Sequence, residues 1–211
     1  MKYVFLFLVV YLIGGIPFAY IVGRLILHRD IREVGSKNPG AGNVFLLAGW
    51  KAGIVALLGD IGKGFFAMML VSLAGVQYPS LLFFTFAAIL GHVFTPFLLF
   101  RGGKGVAVAA GSYAYVIYNI FGLASVLETI IFITLPGILL FKISNSLVIS
   151  LSVTPVFFLI ALRLFAYDTK LFLFSLLMSA LIEVLAFRRI KSEWSKFLRN
   201  KKVRIFLRGG S

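Results

Sequence analysis

Leu90-Gly-His92-Val-Phe-Thr-Pro-Phe-Leu-Leu-Phe100-Arg101-Gly-Gly-Lys104-Gly105-Val106-Ala-Val-Ala-Ala-Gly111 sets a glycine–lysine cluster between two long apolar runs. The runs are unbroken and lack the period-2 alternation of a barrel strand, so they read as membrane helices. Gly102 and Gly103 let backbone N–H groups approach a ligand closely, and Lys104 adds a mobile positive charge. That combination suits a phosphate. The stretch therefore predicts an anion site at the edge of a membrane span.

The rest of the chain repeats this pattern. Of its 211 residues, 61% are hydrophobic and 13% charged, against about 25% charged in a soluble domain. The predicted fold is all-α, a polytopic integral membrane helix bundle forming a single domain over residues 1–211. At about 20 apolar residues per crossing, there are about seven segments. They cover residues 4–26, 52–74, 80–100, a short tilted half-helix at 106–120, 121–141, 147–166 and 171–187. A basic tail, 188–211, follows. The first run passes through Gly14-Gly15-Ile16-Pro17 without a polar cleavage region, so it is read as retained. With no cysteine, disulfides, thiolate metal sites and an acyl-cysteine intermediate are excluded.

The formal charge of +14 comes from 21 Lys/Arg against 7 Asp/Glu. One reading is the positive-inside rule with attraction to anionic lipid; the other is an anionic substrate. If segment 106–120 crosses, one side collects Arg24, Arg29, Arg32, Lys37, Lys51, Arg101, Lys104, Lys142 and the tail. The other side keeps Lys2, Arg163 and Lys170. The first side is then cytoplasmic, with the N-terminus outside and the C-terminus inside.

Ionisable residues inside spans are costly and are functional candidates. At 1.5 Å rise per residue, Asp60, Lys63, His92 and Glu183 all fall within about 15 Å of the cytoplasmic edge, as does Lys104. Each also has a plain reading. Asp60 and Lys63 are spaced to neutralise each other, His92 can hydrogen-bond between helices, and Glu183 can offset the tail. Glu128, in the outer half of its span, is read as structural. The loop 35–43 carries Ser36, Asn38, Gly40, Ala41, Gly42 and Asn43 ahead of a short helix at 44–48. It is either an ordinary turn or an anion nest at a helix N-terminus. Its place on the same side as Gly102-Gly103-Lys104 favours the nest.

Several chemistries are excluded. Leu98 and Gly105 stand where a Walker A loop needs Gly and Ser/Thr. Arg32 and Pro96 stand four residues after the two histidines, so a histidine–aspartate acyltransferase signature is absent. There is no Gly-x-Ser-x-Gly elbow and no zinc ligand set. No metal, cofactor or nucleic-acid partner is expected.

Together these residues resemble the bacterial PlsY-type acyl-phosphate:glycerol-3-phosphate acyltransferases. The likeness is carried by Asp30-Ile-Arg-Glu-Val-Gly-Ser36-Lys-Asn38-Pro-Gly40-Ala41-Gly-Asn43-Val44, Gly49-Trp-Lys51-Ala-Gly53 and Asp60-Ile-Gly-Lys63-Gly64. It is carried again by Gly91-His92 with Phe100-Arg-Gly-Gly-Lys104-Gly-Val-Ala107, and weakly by the basic end of the last span. The resemblance implies transfer of a fatty acyl group from acyl-phosphate to the 1-hydroxyl of glycerol 3-phosphate, giving lysophosphatidic acid and phosphate at the cytoplasmic face. It implies no acyl-enzyme, with a substrate phosphate taking the hydroxyl proton while the protein positions and stabilises charge. Ser36, His92 and Lys104 are then the catalytic set. Asn38, Gly40, Ala41, Gly42, Asn43, Asp60, Lys63, Gly102, Gly103, Arg188 and Lys191 hold substrate, with Asp60, Lys63 and His92 also bracing the loops.

The chain departs from the family pattern in three places. Gly42 replaces a threonine, Leu46 an arginine, and Phe187-Arg188-Arg189-Ile190-Lys191-Ser192 lacks a histidine and an asparagine. Each lost charge-assisted hydrogen bond weakens a phosphate contact by about 1.5–3 kcal/mol. Two other readings therefore stand beside the enzyme: a non-catalytic protein binding a phosphorylated lipid or metabolite, and a small anion transporter.

Overall fold

The computed structural model describes residues 1–144, 160, 168–181 and 184. Its elements are helical: α1 Lys2–Gly15, α2 Phe18–Leu27, α3 Ala41–Leu73, α4 Leu81–Val93, a 3-10 turn Pro96–Leu98, α5 Val106–Ser144 and α6 Thr169–Leu181. Four stretches are long and apolar enough to cross a membrane: Lys2–Leu27, Ala41–Leu73, Leu81–Leu98 and Val106–Ile131. The expected sixth span lies mostly outside the described residues, as do Glu183 and the tail with Arg188 and Lys191.

Two expected spans keep the length and apolarity to cross, but neither is one continuous helix. The continuous helix over 4–26 is broken, because Pro17 has no N–H to donate and its ring clashes with the preceding turn. Ile16 turns extended (φ −55°, ψ 118°) and α2 restarts at Phe18. The break frees carbonyls at Gly15 and Ile16 for other partners. Within the span over 80–100 the α-helix also stops early. α4 ends at Val93, and Thr95 caps the turn that Pro96 begins, its Oγ1 accepting from the N–H of Phe97.

The short helix expected at 44–48 is present as the first part of α3, which breaks at Gly49 (φ 81°, ψ 177°) before the long span. That positive φ is one a Cβ-bearing residue rarely adopts. Segments 106–120 and 121–141 appear as one element, α5, broken likewise at Gly122 (φ 82°).

The chain forms two compact units, Met1–Gly122 and Leu123–Ser211. In the first, α1 packs on α4 and α2 on α3. A Cβ at Gly91 would collide with the Tyr11 carbonyl, and one at Gly14 with that of Ala88. Small residues let the α1 and α4 backbones touch, as membrane helices do when lipid is as apolar as their side chains. Between α2 and α3, Ala19, Ile31, Val44, Ala52 and Ala56 form a buried cluster that seats the 28–40 loop against the bundle. In the second unit, Asp168 Oδ1 accepts from the N–H of Leu171 and caps α6.

Candidate functional site

The first unit brings the two glycine-rich loops together. Pro39, beside Gly40, shares one small cleft with Gly102, Gly103 and His92, closed by Gly15, Pro17, Thr95 and Leu98. Three buried side chains lie beneath it. Lys63 Nζ is 2.8 Å from Asp60 Oδ1, with both side chains 2% exposed. The same ammonium donates to the carbonyl of Ile16, freed by the α1–α2 break, and lies 3.0 Å from His92 Nδ1. The ammonium is thus surrounded by a carboxylate, a backbone carbonyl and a ring nitrogen.

Of the roles expected of Asp60, Lys63 and His92, this geometry carries the bracing one. Asp60 and Lys63 neutralise each other and tie α3 to the helix break. A protonated Lys63 can only donate, which makes His92 Nδ1 the acceptor and leaves the ring proton on Nε2. That edge lies against Gly103, where a Cβ would overlap Nε2. The His92 ring is therefore held between Lys63 and the Gly103 backbone.

The Gly-Gly pair is corrected. The N–H of Gly102 donates to the Val93 carbonyl (3.0 Å) and that of Gly103 to the His92 carbonyl (3.2 Å). Both donors satisfy the open end of α4, so neither is offered to an anion. Glycine is needed there because the loop lies directly on that helix end: a Cβ at Gly102 would collide with the His92 carbonyl. Lys104 follows, partly buried, immediately before Gly105 and α5.

Asn43 is likewise structural. Its Nδ2 donates to the carbonyls of Ile31 (2.6 Å) and Val34 (3.1 Å), and its Oδ1 accepts from the N–H of Ser36 (2.8 Å). Its own N–H donates to Gly40. All its donors hold the loop, and none remains for a phosphate. Ser36 and Asn38 are partly buried and Gly40 and Ala41 buried. Gly40, extended at φ −110°, is the N-cap of α3 and supplies no side-chain cap. The first turn of α3, including Ala41 and Gly42, thus presents N–H groups and the positive end of a helix dipole.

Sequence reasoning missed the ties that hold the loops in place. Asp30 takes the backbone N–H of Arg32 (2.9 Å) and its guanidinium (2.6 Å at Nη2), and Arg32 Nη1 reaches the Leu98 carbonyl (3.4 Å). The Arg32 guanidinium holds the Asp30 carboxyl down at about 2. Thr95 Oγ1 donates to the freed Gly15 carbonyl (2.6 Å). Two local signals point to these ties: an aspartate two residues before a polar N–H, and Thr-Pro, the cap-and-start pair of a helical turn.

These elements define an all-helical, multi-pass integral membrane protein whose two glycine-rich loops close around one cleft. Residues 4–200 match the family model described as glycerol-3-phosphate acyltransferase. Among curated proteins, the chain is 50% identical over 111 residues to a glycerol-3-phosphate acyltransferase of Enterococcus faecalis, covering 53% of this chain and 51% of that one. It is 46% identical over 132 residues to glycerol-3-phosphate acyltransferase 2 of Bacillus cereus, covering 61% and 65%. These matches thus span about half to two thirds of the relatives' length. Among solved structures it resembles PlsY (YgiH), an integral membrane glycerol 3-phosphate acyltransferase. The glycerol 3-phosphate form matches with TM-score 0.77 and 27% identity, covering 93% of this chain and 94% of that one. The lysophosphatidic acid form matches with TM-score 0.76 and 25% identity over the same shares. The chain belongs to the glycerol-3-phosphate acyltransferase family.

Proposed function

We propose that this protein transfers a fatty acyl group from acyl-phosphate to the 1-hydroxyl of glycerol 3-phosphate, at the cytoplasmic face of a bacterial membrane. The products are lysophosphatidic acid and phosphate. The observation that carries the reading is the meeting of the two loops, through Pro39, Gly102 and Gly103, at one small cleft; in the chain, the uncapped first turn of α3 follows Pro39-Gly40, and Lys104 follows Gly103. Family membership and the likeness to a relative solved in glycerol 3-phosphate and lysophosphatidic acid forms support it.

In this reading the first-turn N–H groups at Gly40, Ala41 and Gly42 hold a phosphate, flanked by Ser36 and Asn38. Lys104 neutralises phosphate charge, and Arg188 and Lys191 act as point charges from the tail. The acceptor's hydroxyl oxygen attacks the acyl carbonyl carbon, the bond from that carbon to the phosphate oxygen breaks, and a substrate phosphate takes the released proton. The anhydride is already activated, so the protein supplies position and charge.

Lys104→Ala should lose about 10²- to 10³-fold in turnover, the scale of removing one charge-stabilising donor, while Lys104→Arg keeps part of it. Full activity in Lys104→Ala would remove the lysine from the mechanism. One observation favours a second reading, a non-catalytic binder of a phosphorylated lipid: Leu46, where the family pattern has arginine, is 68% exposed. Acceptor-dependent turnover by the purified protein eliminates that reading.

A further inference from the structure

Between α4 and the Gly102–Gly103 pair, the chain places three exposed apolar side chains on an irregular segment. Leu99 is 80% exposed and Phe100 63%, with Phe97 exposed beside them. Leu99 and Phe100 also hold φ of 54° and 60°, a left-handed conformation that side chains with a Cβ resist. A loop facing water has no reason to combine that strain with that exposure.

The hydrogen bonding supplies the reason. Seven consecutive residues, 97–103, all commit their backbone N–H groups within the protein. Phe97 donates to Thr95 Oγ1, Leu98 and Phe100 to the Thr95 carbonyl, and Leu99 to Pro96. Arg101 donates to Leu98, and Gly102 and Gly103 to the end of α4. Loops in water leave such donors to solvent. A segment that contacts lipid cannot, because each unsatisfied donor is costly there. Arg101, exposed at the end of the segment, is placed to extend its guanidinium to headgroup phosphates while its stem lies on apolar surface.

We propose that residues 97–101 form a lipid-seated strap. Phe97, Leu99 and Phe100 enter the headgroup–acyl boundary of the leaflet, and Arg101 holds anionic lipid headgroups at its rim. The occupant is the bilayer, on three counts. The strap is continuous with two membrane-spanning helices, its backbone donors are satisfied internally, and its charged residue is complementary to anionic lipid. The inference is independent of the acyl-transfer reaction, since it concerns the outer face of the segment and not the cleft.

The chain has no cysteine, so single cysteines report without background. Phe97→Cys, Leu99→Cys and Phe100→Cys are compared with Glu33→Cys, an exposed position on the polar loop. Each full-length variant is placed in nanodiscs of phosphatidylethanolamine and phosphatidylglycerol. A thiol in apolar surroundings holds its proton and reacts slowly, so the strap cysteines should react with a water-soluble maleimide at least about tenfold more slowly than Glu33→Cys. Nitroxides on the same cysteines should collide more with oxygen than with a water-soluble nickel complex. Using three positions guards against one variant failing to fold. Labelling as fast as Glu33→Cys overturns the proposal. Protection with low collision rates for both probes also overturns it, because it means that protein, such as a second copy, covers the strap.

Discussion

At the level of single residues, Lys63 is the clearest case of a role set by surroundings. Its ammonium is buried among Asp60, His92 and the Ile16 carbonyl. Lys63→Met leaves the Asp60 charge buried without a partner, which costs about 3–5 kcal/mol. Thermal unfolding in detergent should show a large fall in midpoint, and the Asp60→Asn/Lys63→Met pair should recover most of it. Equal losses in the single and the double variant would mean the pair is not coupled. Gly103→Ala drives a methyl into the His92 ring, so it should lower turnover while substrate-free stability changes less. The i,i+3 spacing made the Asp60–Lys63 pairing legible in the sequence. His92, 29 residues from Lys63, could be grouped with the pair by depth but not by contact, and the fourth member was not legible because Ile16 contributes a backbone carbonyl. Asn43 misled for a similar reason: an amide in a glycine-rich loop serves an anion or the loop equally well, and only the carbonyls of Ile31 and Val34 decide between them.

At the scale of elements, the helix breaks carry the site. Pro17 opens α1–α2, and Thr95 and Lys63 take the freed carbonyls, so this break is matched by two side chains from other segments. Thr95→Val removes both the bond to Gly15 and the cap of the 3-10 turn, a loss of about 1–2 kcal/mol. It should appear as a lower unfolding midpoint with a loosened 95–103 segment in hydrogen exchange. The 30–36 loop has its own tie. The Asp30 carboxyl sits at about 2, against 3.8 for an ordinary aspartate. Because its folded value is depressed, the tie to Arg32 is fully present above about pH 4 and is lost as pH falls through about 2. A nitroxide on Glu33→Cys should therefore become mobile across that window, and in Asp30→Asn it should be mobile at every pH. Mobility in Asp30→Asn no greater than in the Asp30 protein at neutral pH would show that the ion pair does not hold the loop. Spans, the short helix at 44–48 and the Gly49 break could be read from apolar runs and glycines. The early end of α4 was marked only by Thr95-Pro96, because residues 94–100 are otherwise as apolar as the helix before them, and its position is set by the hydrogen bonding.

For the whole molecule, composition decided the class, and the all-helical membrane architecture follows from apolar runs too long and too unbroken for anything else. With segment 106–120 crossing, the sequence count puts most lysines and arginines on the side expected to carry both glycine-rich loops, the placement proposed for a soluble, phosphorylated acceptor. The proposed function assigns the chemistry on that side to Lys104 and the first turn of α3, in a protein whose sequence departs from the family pattern at Gly42, Leu46 and the end of its last span. The direct measurement is phosphate release from acyl-phosphate by the full-length, detergent-purified protein, with and without glycerol 3-phosphate, together with identification of the lipid formed. The account predicts acceptor-dependent release matched by lysophosphatidic acid. Release no greater than background, from protein that still binds acyl-phosphate, would contradict it and leave the cleft a binding site alone.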